Sequence, residues 1–166
     1  VDEILQRTGI SRCSFYYYFK TKEGFGAELI DRYRHFITQK LERCLSDTSL
    51  SPLGSLRAFV GEVRDEMART DCRSGCLVGK LAQEVNTLPE NFREQLSAVF
   101  AEWQAVFARG LKRAQETGEI SPELDCASTA AFFWYGWGGA LQRANLELNI
   151  KPVDIFIGNF FSRLTG

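Results

Sequence analysis

The sequence predicts an all-α protein. Apolar residues recur at spacings of three and four along almost every segment, which is the pattern of an amphipathic helix. Leu96, Val99, Phe100 and Trp103 are one example. No stretch of useful length alternates between apolar and polar residues, and there is no internal repeat or low-complexity tract. With 166 residues, 45% apolar and 25% charged, the chain has the composition of a folded globular protein.

The first 70 residues contain four predicted helices, separated by residues that typically end or start a helix. Gly9 suits the turn after the first helix, and Ser11 can N-cap the second. The polar stretch SDTSLSP is the best internal boundary, so we predict two domains, at 1–46 and 47–166. The four predicted helices lie at 1–8, from Ser11 onward, at about 22–45 and at 52–70.

The second half contains a short segment followed by three longer predicted helices. Thr87 and Glu90 have the spacing of a capping box, which predicts that a helix begins there. After Pro122 comes the apolar run AAFFWYGWGGAL. It is too short to span a bilayer and therefore predicts a helix that is buried nearly all round. A last helix is predicted at about 152–164.

Charge and cysteine content limit the class of protein. The net charge of −1 argues against a polyanion binder whose whole surface is basic. The segment from Ile4 to Lys22, however, holds four basic residues and no Asp or Glu, which suits contact with nucleic acid at one end of the chain. Five widely spread cysteines and no visible signal peptide predict a reducing, cytoplasmic environment.

Several patterns look like sites of chemistry and are poor matches. GCLVGK has three residues between its glycines instead of four, and Leu81 stands where Ser or Thr would hold magnesium. The single histidine, His35, has no partners at the spacing of a hydrolytic or zinc site. We therefore predict no catalytic residue, no metal site and no cofactor. For Cys72 and Cys76 two interpretations stay open: inert buried cysteines, or a reactive thiol pair.

Three consecutive tyrosines stand in RCSFYYYFKTK, at residues 12–22. Successive helical residues are about 100° apart, so the three rings point in different directions. If Phe15 and Phe19 form the buried stripe, Tyr17 points outward with Cys13 and Ser14 beside it, and the other two tyrosines fall on opposite flanks. This face has no base near neutral pH, but it suits hydrogen bonds to phosphates and base edges. An ordinary aromatic helix end is the alternative.

The run ILQRTGISRCSFYYYFKTKEGF resembles the helix-turn-helix of the TetR family of transcriptional repressors. Cys13 departs from the family pattern, at a position where Gly or Pro is common. The resemblance implies a helix-turn-helix DNA-binding module, whose first helix would precede Val1 and is absent here, and a larger helical effector-binding and dimerisation domain. The matching residues are Gly9, Ile10, Ser11, Ser14, Phe15, Tyr16, Tyr18, Phe19, Thr21, Lys22 and Glu23.

The resemblance also implies how DNA is bound. Family members place the tyrosine-bearing helix in the major groove and a lysine at the start of the next helix on a phosphate. Carried over, Tyr17 and Ser14 point at bases, whereas Tyr16, Tyr18 and Lys22 hold the backbone. The implied partner is double-stranded DNA with a palindromic operator. The implied contacts are Ser11, Arg12, Cys13, Ser14, Tyr16, Tyr17, Tyr18 and Lys22.

The stretch SGCLVGKLAQEV is similar, less specifically, to a subgroup that includes electrophile-sensing repressors and an acrylate-responsive relative. The reactive cysteine of those sensors maps onto Cys76, and Arg143 replaces the lysine that some of them place opposite it. We predict a repressor released from DNA by a small hydrophobic or electrophilic effector. A switch through modified Cys76 is the alternative, and an enzyme with this cysteine as nucleophile is a remote one. The predicted effector or sensor residues are Cys76, Cys72, Trp103, Phe107, Trp134, Trp137 and Arg143.

The resemblance implies a homodimer in which the last two helices of each subunit form a four-helix bundle. Small residues on the otherwise aromatic penultimate helix fit such a close approach. An effector in the core would shift the helix that begins at Lys22 and so change the separation of the two recognition helices. The predicted interface residues are Ala131, Gly138, Phe156 and Phe160.

Overall fold

The computed structural model describes residues 1–165, and within that range it contains eight α-helices and no β-strand. A short 3-10 turn at Val85–Thr87 joins the fifth helix to the sixth. No helix among these residues is both long and apolar enough to cross a membrane. The helices are α1 Asp2–Thr8, α2 Arg12–Phe19, α3 Lys22–Leu45, α4 Pro52–Arg69, α5 Leu77–Gln83, α6 Glu90–Glu116, α7 Cys126–Glu147 and α8 Lys151–Leu164.

Local signals fix the turn between α1 and α2. Gly9 ends α1 with φ 69°, a left-handed conformation that glycine adopts without steric cost. Ser11 caps α2, since its hydroxyl accepts the backbone N–H of Ser14 at 3.1 Å, which confirms the predicted cap. Thr21 caps α3 in the same way, by accepting the N–H of Gly24 at 2.9 Å.

Three phenylalanines hold α2 against the start of α3. Phe15 is buried, and its ring centroid lies 5.0 Å from that of Phe19 and 5.1 Å from that of Phe25. The rings of Phe19 and Phe25 are themselves 4.9 Å apart and nearly perpendicular. Phe15 does not belong to the main hydrophobic core, so this aromatic cluster is a separate anchor for α2.

The long helix α3 connects this anchor to the rest of the protein. Polar side chains on α6 form hydrogen bonds to α3. The Gln95 amide donates to the carbonyl of Ala27 at 2.9 Å. Glu102 accepts from Arg34 at 2.7 Å and from Thr38 at 2.7 Å. Partial burial raises the pKa of Glu102, but the hydrogen bonds from Thr38 and Arg34 together outweigh it and hold the pKa below the ordinary value. These hydrogen bonds connect α6 directly to α3.

Stacked aromatic rings from α6, α7 and α8 fill the centre of the main core. Phe107 of α6 lies flat against Phe133 of α7, with centroids 4.1 Å apart and planes 12° from parallel. Phe133 also stacks on Trp137 at 5.7 Å and meets Phe160 of α8 at 5.0 Å. Burying one such side chain stabilises a fold by roughly 1.5–3 kcal/mol, so this cluster ties the three helices into one unit.

The predicted capping box at Thr87 and Glu90 is wrong. Helix α6 begins at Glu90 with Pro89 as its N-cap residue, and no side chain caps it. Thr87 instead ends the 3-10 turn, where its hydroxyl donates to the carbonyl of Glu84 at 2.8 Å. The reason is Leu88, which is extended because it precedes a proline, and a helix cannot continue through it.

Gly110 marks a close approach between helices. A Cβ atom there would lie 2.8 Å from a methyl carbon of Leu45 and 2.8 Å from one of Leu56, both buried. We expect Gly110→Ala to lower the free energy of unfolding by about 1–3 kcal/mol. The control is Gly61→Ala on α4, where no atom lies within 4 Å. It should be neutral or stabilise by up to about 1 kcal/mol. Urea denaturation measures both, and equal effects would contradict the packing.

Candidate nucleic-acid interface and effector cavity

The outward face of α2 consists of polar aromatic, thiol and hydroxyl groups. Tyr17 and Tyr18 are 70% and 75% exposed, with ring centroids 5.4 Å apart and planes nearly perpendicular. Cys13 and Ser14 are also exposed, while Tyr16 is half-buried. The orientation of Tyr17 is the one that the 100° projection predicts. Four neighbouring side chains on one helix thus offer hydrogen-bonding groups to a partner.

The basic residues beside this face differ in how free they are. Arg12 forms an ion pair with Asp2, so it reaches a phosphate only if that pair opens. Lys20 lies over the Tyr17 ring, with its ammonium nitrogen 5.0 Å from the centroid. Lys22 is exposed and has no ion-pair partner within residues 1–165. Lys22 also opens α3, next to the outward face of α2.

A cavity of about 230 Å³ lies among α3, α4, α6 and α7, beside residues 74–76. Hereafter it is called the inner cavity. Cys76, Trp103, Trp134 and Trp137 line it, so the structure brings four of the seven predicted effector residues together. A larger groove of about 1140 Å³ runs along α5, α6 and the outer side of α7, and it shares several of these walls.

Two indole groups in the inner cavity have no hydrogen-bond partner. Trp103 and Trp134 stack with centroids 5.2 Å apart and planes 26° from parallel. Both side chains are buried, and neither Nε1 atom meets an acceptor among the described residues. A buried N–H without an acceptor destabilises the fold by roughly 1–3 kcal/mol, so native proteins seldom keep one without a reason.

Cys76 starts α5 as its N-cap residue, and its sulfur accepts the N–H of Gly79 at 3.3 Å. Burial is the main influence and raises the pKa of the Cys76 thiol, although the Gly79 amide and the Tyr33 hydroxyl work in the other direction. Burial, and then the nearby Cys76, likewise raise the pKa of Tyr33. Cys76 is therefore a protonated thiol at neutral pH, which is a weak nucleophile.

Three predicted effector residues lie elsewhere. Cys72 is buried in the core and lines neither cavity, and its carbonyl accepts from the Asn145 amide at 2.8 Å. Phe107 lines neither cavity because it is fully enclosed by core rings. Arg143 lines the larger groove, not the inner cavity, and forms an ion pair with Glu147. The structure therefore does not group these three residues with the four that line the inner cavity.

The sequence-based prediction missed the walls that α3 and α4 supply to the inner cavity. Tyr33 and Val63 belong to apolar stripes that are indistinguishable from ordinary core packing in the sequence. Among the lining residues that the structure describes, Glu66 carries the only carboxylate, and it pairs with Lys40 at 2.7 Å. No Lys or Arg is among the described residues that line this cavity. The spacing of residues along the sequence does not predict that the described wall carries no positive charge.

The residues predicted for the dimer interface differ in exposure. Phe160 is only 6% exposed because it packs into the core of its own chain. Phe156 is half-buried against Gly136. The exposed side of α7 instead presents residues spaced alternately by three and four. These are Phe132, Tyr135, Gly139, Gln142 and Leu146.

Known proteins resemble this chain in sequence and in structure. A family model described as a tetracyclin repressor-like C-terminal domain matches residues 52–160. The transcriptional regulator AcuR of Cereibacter sphaeroides is 42% identical over 160 residues, covering 96% of this chain and 73% of AcuR. The HTH-type transcriptional repressor DhaR of a Mycobacterium species is 27% identical, over 99% of this chain and 81% of DhaR.

A solved structure has the same fold. The crystal structure of a regulatory protein TetR from Rhodobacter sphaeroides superposes with a TM-score of 0.93 at 42% identity. The match covers 96% of this chain and 84% of that one, so it includes both the helix-turn-helix and the larger helical part. The predicted all-α class and the predicted family are thereby confirmed. This chain belongs to the TetR family of transcriptional regulators.

Proposed function

We propose that the protein is a dimeric repressor that binds a palindromic operator through α2 and is released by a small effector. The observation that carries the proposal is the outward face of α2, with Tyr17 and Tyr18 largely exposed and the unpaired Lys22 beside them. Such groups recognise base edges and phosphates, and no acidic side chain stands on this helix to repel DNA. The similarity to the repressor DhaR supports the direction of regulation.

Each side chain has a distinct role in this proposal. Tyr17 and Ser14 face outward at the centre of α2, so they read base edges in the major groove. Tyr16, Tyr18 and Lys22 lie on the flanks and at the start of α3, where they bind phosphates. Phosphate contacts position the helix, whereas base contacts supply sequence specificity.

The exposed stripe on α7 supports dimerisation. Phe132, Tyr135 and Leu146 are large apolar residues that solvent would otherwise cover. Spacing of three and four along a helix suits packing against a second helix at a shallow angle. Ile155 on α8 adds another exposed apolar side chain. We propose that the same faces of two copies meet here, which places two α2 helices on one palindrome. The larger groove would lie beside that contact.

The inner cavity supports a noncovalent effector. Its wall includes Trp103, and the neighbouring Glu102 on α6 holds Arg34 and Thr38 of α3. A molecule that fits the cavity better in one arrangement of α6 and α3 favours that arrangement, and α2 moves with α3. The effector thus alters the separation of the two α2 helices in the dimer.

A thiol switch at Cys76 is the weaker candidate. Its raised pKa keeps the sulfur protonated, and the buried Cys72 offers no partner thiol in the cavity wall. For the same reason a Cys76 nucleophile enzyme is not supported. If electrophiles did act through this sulfur, Cys76→Ser would abolish their effect and keep operator binding.

Tyr17→Ala and Lys22→Ala should change DNA binding in different ways. Loss of the Tyr17 base contact should reduce affinity for the best site by about 1–3 kcal/mol and relax sequence preference. Loss of Lys22 should weaken all sequences alike and lower the slope of log affinity against log salt by about one per protomer. Fluorescence anisotropy over a salt series measures both. A Lys22→Ala protein with the parent slope would contradict the phosphate contact.

Thiol reagents should modify Cys13 before Cys76. Cys13 is exposed on α2, while Cys76 is half-buried and burial raises the pKa of its thiol. Below that pKa the thiolate fraction rises about tenfold per pH unit, so modification of Cys76 should accelerate steeply with pH. Peptide mass spectrometry after iodoacetamide treatment gives both rates. Faster labelling of Cys76 at pH 7 would revive the thiol switch. Cys13→Ser controls for reagent effects on α2.

A further inference from the structure

We propose that the inner cavity binds a small molecule through a carbonyl-type oxygen that accepts hydrogen bonds from the indole N–H groups of Trp103 and Trp134. The inference deepens the proposed function by naming the chemical class of the effector. Only the role of the bound molecule as an effector depends on the proposed repressor function. Binding itself is independent of DNA.

The two indoles define what the ligand must offer. An indole Nε1–H is a donor and never an acceptor, so its partner must carry a lone pair. Both nitrogen atoms are buried without a partner among the described residues, and both rings line the same cavity. A carbonyl oxygen has two lone pairs and can accept from two donors at once. The two rings stack with centroids 5.2 Å apart, so a ligand that contacts one ring also lies near the other, and its carbonyl oxygen can serve as the missing acceptor.

Size and wall chemistry restrict the rest of the molecule. An apolar cavity of about 150 Å³ holds benzene. The 230 Å³ of the inner cavity therefore suits a ligand of roughly ten non-hydrogen atoms. Phe59, Val63 and Leu141 give it apolar walls, while Tyr33, Ser74 and Cys76 add a few polar atoms. The remainder of the ligand is therefore mainly hydrocarbon. The one carboxylate in the described wall, on Glu66, is already paired with Lys40.

The charge of the cavity wall favours a neutral carbonyl compound over a carboxylate as the ligand. Because no Lys or Arg among the described residues lines the cavity, a carboxylate would enter without a counter-charge. Burying an unpaired anion is costly, so a ketone, ester or amide should bind more tightly than the anion of a similar acid. A carboxylate uses the same acceptor chemistry, and the experiment separates the two.

Nitrogen-15 labelling of tryptophan in the full-length protein tests the proposal, because Trp103, Trp134 and Trp137 each give one indole N–H signal. The probes are acetophenone and α-methylstyrene, which has the same shape with a CH₂ group in place of the oxygen. Benzoate is the anionic probe. Trp137 also lines the cavity, but its nitrogen is not one of the two buried unpartnered donors, so it is the internal control.

Acetophenone should shift the Trp103 and Trp134 signals downfield together, leave Trp137 without a downfield shift, and bind at least about tenfold more tightly than α-methylstyrene. Benzoate with the same paired response supports a carboxylate source of the same oxygen. Equal affinity for acetophenone and α-methylstyrene, a response confined to Trp137, or no binding of any probe overturns the proposal.

Trp134→Phe removes one donor while keeping an aromatic ring. It should reduce the preference for acetophenone over α-methylstyrene by about tenfold, whereas Trp137→Phe should leave that ratio unchanged. Because a ratio is measured, a general loss of cavity shape does not mimic the result. An unchanged ratio in Trp134→Phe contradicts the role of this indole. A protein that binds acetophenone but no DNA would refute only the repressor function.

Discussion

We expect the replacement of Phe15 with alanine to remove specific DNA binding and to leave the larger helical part folded. Phe15 is buried and packs against Phe19 and Phe25, and it lies outside the main core. Truncating such a phenylalanine lowers stability by about 3–5 kcal/mol. Since the aromatic cluster is the principal anchor of α2, that loss falls on α2 and its packing against α3. The buried residues of α4, α6, α7 and α8 form a separate core cluster that does not include Phe15, so we expect it to stay folded.

Two measurements on the same protein test this expectation. Operator affinity, measured by fluorescence anisotropy, should fall at least about a hundredfold, because α2 no longer holds its orientation. The main thermal transition, followed by circular dichroism, should be nearly unchanged. Phe15→Leu is the matched control, since it keeps most of the apolar volume and should cost less than about 1.5 kcal/mol. Full operator affinity in Phe15→Ala would contradict the anchoring role.

Filling the inner cavity should uncouple effector response from DNA binding. Val63 lines the cavity from α4 and is far from α2 in the chain. Val63→Phe places a ring in the space that the effector needs, so any compound that releases the parent protein from its operator should lose its effect. The operator affinity itself should change by less than about threefold, because Val63 lies on α4 and the proposed DNA contacts lie on α2 and at the start of α3.

The control for this experiment is Val63→Ala at the same position, which enlarges the cavity instead of filling it. It should retain the response to the compound, at a cost of about 1–2 kcal/mol in stability. A screen of small ketones, esters and aromatic acids by anisotropy supplies the releasing compound. An undiminished response in Val63→Phe would place the effector site outside the inner cavity, and the larger groove would be the next site to test.

The helix-turn-helix was readable from the sequence because its signals are local. The Ser11 cap, the left-handed Gly9 and the buried pair Phe15 and Phe19 each depend on residues at most four positions apart. Helical geometry then determines which side of α2 faces outward. The outward orientation of Tyr17 required no knowledge of the rest of the fold.

Only some of the residues that line the inner cavity could be predicted from the sequence, because the cavity forms between helices that are distant in the chain. Tryptophans are conspicuous, so Trp103 and Trp134 were found, but Tyr33 and Val63 have the pattern of any core residue. Phe107 has that pattern too and is simply core. Phe160, which the sequence suggested for the dimer interface, likewise packs into the core of its own chain. Apolar periodicity shows that a residue is buried, but the tertiary fold determines which residues it packs against.

We expect α2 to read DNA as part of a dimer, which selection of binding sites from random duplex DNA by the full-length protein tests. One palindromic sequence should be enriched, with half-sites about one helical turn apart. The Tyr17→Ala protein should enrich a more degenerate version of the same palindrome. Enrichment of no sequence, or of a single half-site that Tyr17→Ala leaves unchanged, would contradict DNA reading by α2 in a dimer.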